Sequence, residues 1–284
     1  MINLPSQKDS GRKLFFGLFV FPLLIAIGMA VLLCTVVLLT REAETPESLI
    51  IAIKTGPPSK RWQKAFELSN ELNQGRGMIR TSGVMKEVIH ILNHREEYDA
   101  QTRAYMALAL SRFEDPAALA ALQDALGKET EPDVQLYLMW ALGVRAEKAS
   151  AKGVVPFLKS ENPDLRKTAA YVLGALQEGK SRAFIKPLLE DADRDVRWNA
   201  ALSLARFEDD AGYAVLVKMT DRQALAAQEA LPESKIEEII INAVKGLALI
   251  PRRESLDVLS RLSQEDPSLK VRQAAFDALD QIRK

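Results

Sequence analysis

The chain has 284 residues, with 38 basic and 38 acidic side chains and therefore no net charge. Residues 1–41 hold four of those bases and one of the acids, leaving 34 basic and 37 acidic groups beyond them, a net of −3. That balance argues against bulk nucleic-acid binding, which leans on phosphate neutralisation. The only cysteine, Cys34, excludes a disulfide framework.

The segment 1–13 carries Lys8, Arg12 and Lys13 against Asp9. It leads into Leu14–Leu39, 26 residues without a charge. At 1.5 Å per residue such a helix is about 39 Å long, enough to cross a hydrocarbon core of about 30 Å with tilt. Gly17 and Pro22 lie inside it, as membrane helices tolerate. A cleaved signal peptide fits less well, because its apolar region is shorter and no small-residue cleavage site precedes Thr40-Arg41-Glu42. Cys34 follows Val31-Leu32-Leu33, which does not suit lipidation. After the span come Arg41, Glu42, Glu44 and Glu47. The basic side stays in the cytoplasm, so the N-terminus is expected inside and the rest outside, in a periplasm-like compartment.

Thr45-Pro46-Glu47 opens a short helix through Lys54, with Thr as N-cap and Pro at the first helical position, and Gly56-Pro57-Pro58-Ser59 ends it. From there the chain repeats. Residues 107–117 and 201–211 share Ala-Leu-x-Leu-x-Arg-Phe-Glu-Asp. That register gives anchors at Arg61, Arg103, Gln135, Arg166, Arg197, Ile240 and Arg272. Seven residues on stand Leu68, Leu110, Leu142, Leu173, Leu204, Leu247 and Leu279, and the next position is small in six of the seven. Four residues past each anchor come Ala65, Ala107, Met139, Ala170, Ala201, Val244 and Phe276, on the same helical face as the Leu.

The base period is about 31 residues, enough for two helices of about 12 residues and two turns, and one such hairpin cannot bury its own apolar face. Insertions fall around Leu72–Arg80 and Asp221–Glu233; the Ala-rich stretch Ala224–Gln228 of the second, ended by Pro232, is expected to extend the preceding helix or form a short one that projects from the solenoid edge. Second helices are expected at Gly83–His94, Pro116–Leu126, Glu147–Leu158, Ser181–Leu189, Ala211–Met219 and Ser255–Leu262. No strand or β-hairpin signal competes.

The motif Asp164-Leu165-Arg166, then Ala169-Ala170, then Leu173-Gly174, returns as Asp195-Val196-Arg197, Ala200-Ala201 and Leu204-Ala205. It recurs in part at Asp133-Val134-Gln135 with Leu142-Gly143 and at Lys270-Val271-Arg272 with Leu279. This pattern resembles HEAT-like repeats of the short type found in phycobilin lyases, over about residues 45–284. The resemblance implies an all-α solenoid of about seven helical hairpins, usually a protein-binding scaffold. Some HEAT-like proteins are di-iron hydroxylases with repeated His-Glu pairs; no such pair occurs in this chain.

Catalytic chemistry finds no motif: there is no Gly-rich phosphate loop, Gly-x-Ser-x-Gly elbow or Cys-x-x-Cys. His90 and His94 are four apart, but Ile91 follows His90, so the zinc motif His-Glu-x-x-His fails. Glu96, Glu97 and Asp99 stand nearby as further oxygen donors, but nothing in the pattern requires a metal, and no cofactor is expected. Asp133, Asp164 and Asp195 read as helix caps, with the anchor Arg of a neighbouring unit bonded to them in a ladder. Among Trp62, Trp140 and Trp198, Trp140 reads as packing and Trp198 as the exposed ring.

The remaining signal is basic. Lys148, Lys152 and Lys159, with Lys180, Arg182 and Lys186 from the next unit, fall on or at the edges of adjacent second helices, which line the concave face of such solenoids, and Lys148, Lys152, Arg182 and Lys186 stand closest together on them. They are the expected contacts for an acidic segment of a protein partner, itself membrane-associated. The domain reading is a cytoplasmic segment 1–13, a transmembrane helix 14–40, a linker with an incomplete first repeat 41–58, and repeats 59–284. The function expected is a non-catalytic, membrane-anchored scaffold of bacterial type. The alternative is a chromophore- or cofactor-handling protein of the lyase-like group.

Overall fold

The computed structural model describes residues 15–40, 45–74, 81–228 and 231–283. The segment 1–13 with its basic cluster, Arg41, Glu42 and Glu44, and residues 75–80 of the first insertion lie outside them. The chain divides into two compact units, 1–45 and 46–284. Among the described residues every regular element is helical.

In the first unit, α1 spans Phe21–Thr40. The turn ahead of it, Phe16–Val20, is wound as a π-helix. Pro22 supplies the reason: it has no N–H to close on Leu18, and its ring crowds that carbonyl. From Phe16 to Val36 the helix is long and apolar enough to cross a membrane, and none of it is buried against protein.

In the second unit, α2 (Pro46–Thr55) packs on α3 (Pro58–Gln74). Then follow α4 (Ser82–Asn93), α5 (Ala100–Leu110), α6 (Pro116–Lys128) and α7 (Pro132–Arg145). The next second element is composite: a 3-10 turn Lys148–Ser150, α8 (Ala151–Val154) and a 3-10 turn Val155–Lys159. After α9 (Pro163–Leu176) comes another, α10 (Ser181–Ile185) continued by the 3-10 turn Lys186–Glu190. The chain continues with α11 (Arg194–Arg206), a 3-10 turn Asp210–Gly212, α12 (Tyr213–Lys218) and α13 (Arg222–Gln228). It closes with α14 (Glu233–Ala248), α15 (Arg253–Glu265) and α16 (Leu269–Arg283).

First helices stack on first helices in the order α3, α5, α7, α9, α11, α14, α16, and each also packs against the second element before it. All seven repeat Leu side chains are buried. The position four past the anchor is buried in six units; Phe276, in the last, is exposed. The fold is therefore an all-α solenoid of repeated hairpins.

Small residues beside the Leu set the spacing. A Cβ placed on Gly174 would lie 2.5 Å from the Cβ of Ser203 and 2.8 Å from its Cα, so α9 and α11 meet backbone to side chain there. The first helices of three units end alike, with Ala146, Gln177 and Glu208 in the left-handed region at φ of 54°, 49° and 55°. All three stand eleven residues past their anchors, a C-terminal cap normally given to glycine.

Three expectations are corrected. The second helices of the middle units do not run unbroken for about 12 residues, because Pro156 and Pro187 each remove a helical N–H and crowd the preceding turn, and a 3-10 turn takes over. Asp133, Asp164 and Asp195 sit within the first turn rather than at the cap. The caps lie two residues earlier: Asn162 accepts from the Asp164 N–H, and Asp193 from those of Asp195 and Val196. The second insertion does not simply project, since it folds as α13, buries Leu225 and ties Arg222 to Glu233 and Asp266.

Truncating Leu173 or Leu204 to Ala should each destabilise the unit by about 2–5 kcal/mol. Gly174→Ala should cost about 1–3 kcal/mol by forcing α9 and α11 apart. Urea unfolding followed by helical circular dichroism measures both; losses below about 0.5 kcal/mol at both Leu positions, far under that range, would refute the repeat register.

Candidate functional site

The anchor side chains build the frame of the site. Arg166 donates to the Ser160 carbonyl at 2.8 Å, Arg197 to that of Asp191 at 2.6 Å, and Arg272 to that of Asp266 at 2.6 Å. Gln135 does the same with the Glu129 carbonyl at 2.7 Å. Each of these four anchors thus reaches back to the connection that precedes its own helix and satisfies carbonyls a turn would leave open.

Some anchors also reach forward. Arg166 forms a two-pronged pair with Asp191, at 2.8 and 2.9 Å, and Arg103 pairs with Glu129, both side chains only 5% exposed. The ladder between units therefore exists, but its acids are Glu129 and Asp191 in the connections, not Asp133, Asp164 or Asp195. A carboxylate on a connection is close enough to be gripped by the preceding unit, whereas one in the first turn points to solvent; Asp164 pairs locally with Lys167.

The four basic residues expected to act together are placed in two locations. Lys148 and Lys152 line a recess of about 420 Å3 between the composite second elements, with Lys180, Glu178, Ala149, Ala151, Val155 and Phe184. Arg182 and Lys186 face the following unit instead, where Asp209 takes Lys186 at 2.9 Å and stands 3.5 Å from the Arg182 Nε. Asp209 is buried and also accepts the Ala211 N–H at 3.0 Å. Lys180 belongs to the basic stripe that the sequence shows, whereas Phe184 carries no such sequence signal and is added by the structure.

Three of the carboxylates that tie units together, Asp209, Asp191 and Glu129, have lowered pKa values. Burial pushes Asp209 up, but the Lys186 ammonium, the Ala211 N–H and the Arg182 charge outweigh it and bring it below 3.8. The Arg166 bond lowers Asp191 against a smaller burial effect. Burial raises Glu129, and the N–H groups of Glu131 and Thr130 with the Arg103 charge overcome this and lower it from 4.5.

A second surface feature runs along the first helices. Phe66 packs edge-on to Tyr105 at 5.3 Å between ring centres, and Tyr105 to Tyr137 at 5.7 Å. Trp140 lies 4.8 Å from Tyr171, over which the Arg206 guanidinium sits at 4.7 Å. This reverses the tryptophan reading: Trp140 is 42% exposed, while Trp198 is half-buried under Arg194 at 4.6 Å. One position past buried Met139, a helix has turned 100° and Trp140 points outward. His90 and His94 stack at 3.8 Å, and among the described residues no group of three potential ligands gathers around a common point.

Comparison with known proteins follows the same lines. Residues 151–232 match the family model for HEAT repeats, and residues 102–128 match that of the PBS lyase HEAT-like repeat. Both matched stretches are HEAT-like repeats and lie within the second unit. No curated protein sequence matches it significantly. Among solved structures it is similar to the complex of CpcE and CpcF of phycocyanin lyase from Nostoc sp. PCC7120, at 18% identity over 86% of this chain and 96% of that one, with a TM-score of 0.54. It is also similar to YibA of Escherichia coli, at 15% identity over 83% of this chain and 92% of that one, with a TM-score of 0.51. At these identities the likeness is one of fold.

The lowered carboxylates make stability depend on pH in one direction. A group whose folded value is depressed stabilises fully above its ordinary value, here 4.5 for Glu129 and 3.8 for Asp191 and Asp209, and loses that contribution as pH falls through the lower folded one. Thermal midpoints should therefore be flat near neutrality and fall on acidification through and below those values. Glu129→Gln should cost about 3–5 kcal/mol at pH 7 by stranding buried Arg103, and should flatten the acid limb. An unchanged acid limb in that variant would count against the assignment.

Proposed function

We propose that this protein is a non-catalytic interaction scaffold held at a membrane by α1, with its HEAT repeats presenting a protein-binding face. The observation that carries the reading is the pairing of an apolar helix with no protein surface to bury it and a stacked repeat array whose second elements carry a basic recess. HEAT repeats generally mediate protein contacts, and the fold neighbour from Nostoc is itself seen in a two-protein complex. In this reading Lys148 and Lys152 meet an acidic partner directly, whereas Arg182 and Lys186, expected to join them, are already engaged by Asp209. Tethering raises the effective concentration of membrane-bound partners, so modest contacts suffice.

The flanking charges set the orientation: Lys8, Arg12 and Lys13 hold the N-terminus in the cytoplasm and the repeats lie outside it. A reporter active only outside the cytoplasm, fused after Lys284, should be active. Activity of a cytoplasm-only reporter at that site reverses the topology. Affinity capture of the intact chain from detergent should return a reproducible membrane-associated protein; its consistent failure to do so sinks the scaffold reading.

A second reading, the handling of a chromophore or cofactor, is favoured by the PBS lyase HEAT-like repeat at 102–128. It predicts a shifted visible absorption spectrum when a free bilin is added to the purified chain. The scaffold reading predicts none.

A further inference from the structure

The repeat register makes one interval between second elements electrostatically closed and its neighbour open. Glu147, Glu178 and Asp209 stand at the same place, twelve residues past Gln135, Arg166 and Arg197. Asp209 receives Arg182 and Lys186 from the unit before it. One period earlier those two positions are Ala151 and Val155. Glu178 therefore meets no cation from its preceding unit, and its carboxylate turns back to accept the N–H groups of Lys180 and Ser181 at 3.2 and 3.1 Å.

What the substitution leaves is a recess with an apolar floor and a cationic rim. Ala149, Ala151, Val155 and Phe184 supply the apolar lining, with Phe184 51% exposed, and Glu178, whose carboxylate is turned onto the Lys180 and Ser181 N–H groups, is the one acid among the three lysines. Lys148 and Lys152 stand on one side and Lys180 on the other, all three exposed. None of the three forms an ion pair among the described residues, unlike Arg182 and Lys186 one interval on. The volume of about 420 Å3 falls within the range of roughly 300–1,000 Å3 typical of ligand pockets.

We infer that this recess binds an acidic peptide segment carrying one aromatic or large aliphatic side chain. The apolar side chain lies on Phe184, Val155 and Ala151, and carboxylates on either side of it meet Lys148, Lys152 and Lys180. The inference rests on the scaffold reading and narrows its contact surface to one interval. Charge complementarity requires an anion, and the floor decides which kind. A small inorganic anion neutralises the rim but leaves Phe184 and Val155 in water. A flat anionic bilayer reaches the lysines but not a floor that lies between them. Arg182 and Lys186 take no direct part, because the chain already supplies their carboxylate.

The test uses the full chain in detergent micelles and two fluorescein-labelled probes: a short peptide of mixed Asp and Glu with one central Phe, and the same peptide with Ser at the centre. Fluorescence anisotropy should show tighter binding of the Phe peptide, weakening with salt as screening rises. Lys148→Glu, Lys152→Glu and Lys180→Glu together should weaken it by about tenfold or more, the summed effect of three surface charges. Phe184→Ala should bring the Phe peptide to the level of the Ser peptide and leave the latter unchanged. Arg182→Gln with Lys186→Gln should change neither affinity by more than about twofold. Circular dichroism confirms folding, and Lys152→Gln alone, with a smaller but measurable loss, stands in if the triple variant fails to fold.

Equal binding of the two peptides, indifference to the lysine changes, or an equal loss from the Gln pair would each overturn the inference. So would displacement of the Phe peptide by phosphatidylserine vesicles through the same lysines. If capture of a partner by the intact chain survives the triple lysine variant, the scaffold reading stands and this site falls. If the peptides behave as expected while the intact chain captures no partner, the site stands and the scaffold reading falls.

Discussion

Everything in the second unit depends on one constraint: a two-helix hairpin has more apolar surface than it can cover by itself. The Leu seven residues past each anchor is buried only because the next first helix lies against it. Stability is then a sum of short-range interfaces rather than the property of one central core. This explains why small residues recur beside the Leu. At Gly174 the neighbouring helix comes so near that even a methyl group has no place, and the close approach is what excludes water from Leu173 and Leu204.

Apolar stacking alone does not fix the order or angle of units, and the polar groups between them supply that. Anchor side chains satisfy carbonyls in the preceding connection, and Glu129 and Asp191 let a unit grip the one that follows. Buried guanidinium–carboxylate pairs contribute little net stability against a well-packed apolar alternative. Their effect is directional: a shifted register would leave a charge buried without its partner. Asp209 belongs to the same set, since it caps the 3-10 turn at Asp210–Gly212 and draws in Lys186. The Lys148–Lys180 interval lacks this internal closure because two positions that are cationic in the next unit are Ala and Val here.

Much of the fold was legible because it repeats. Seven Leu residues in one register identify the first helices, and the helical period then assigns the buried face. What escaped the sequence were features decided by one residue or one turn. Pro156 and Pro187 were in plain view, yet their cost to the second helices depends on where in the helix they fall. The caps at Asn162 and Asp193 stand two residues before Asp164 and Asp195, since the helix dipole favours an acid in the first turn as well as at the cap. Trp140 was taken as packing from its apolar neighbours, although adjacent helical residues point 100° apart. At the basic face, charge on adjacent elements was readable but pairing was not. Only the alignment of Asp209 with Glu178 separates occupied cations from open ones.

The interior of the repeat array is not continuous. One cluster of buried side chains runs from Leu49 to Leu204 and a second from Ala201 to Leu279, and they meet in α11, which gives Ala200 and Leu204 to one and Ala201 and Ala205 to the other. Helix α11 therefore works as a keystone shared by two spans. Such an array does not melt only by fraying from its tips. A disturbance within these four residues parts it in the middle, releasing two shorter stacks that each keep their own internal order while losing the mechanical link between them.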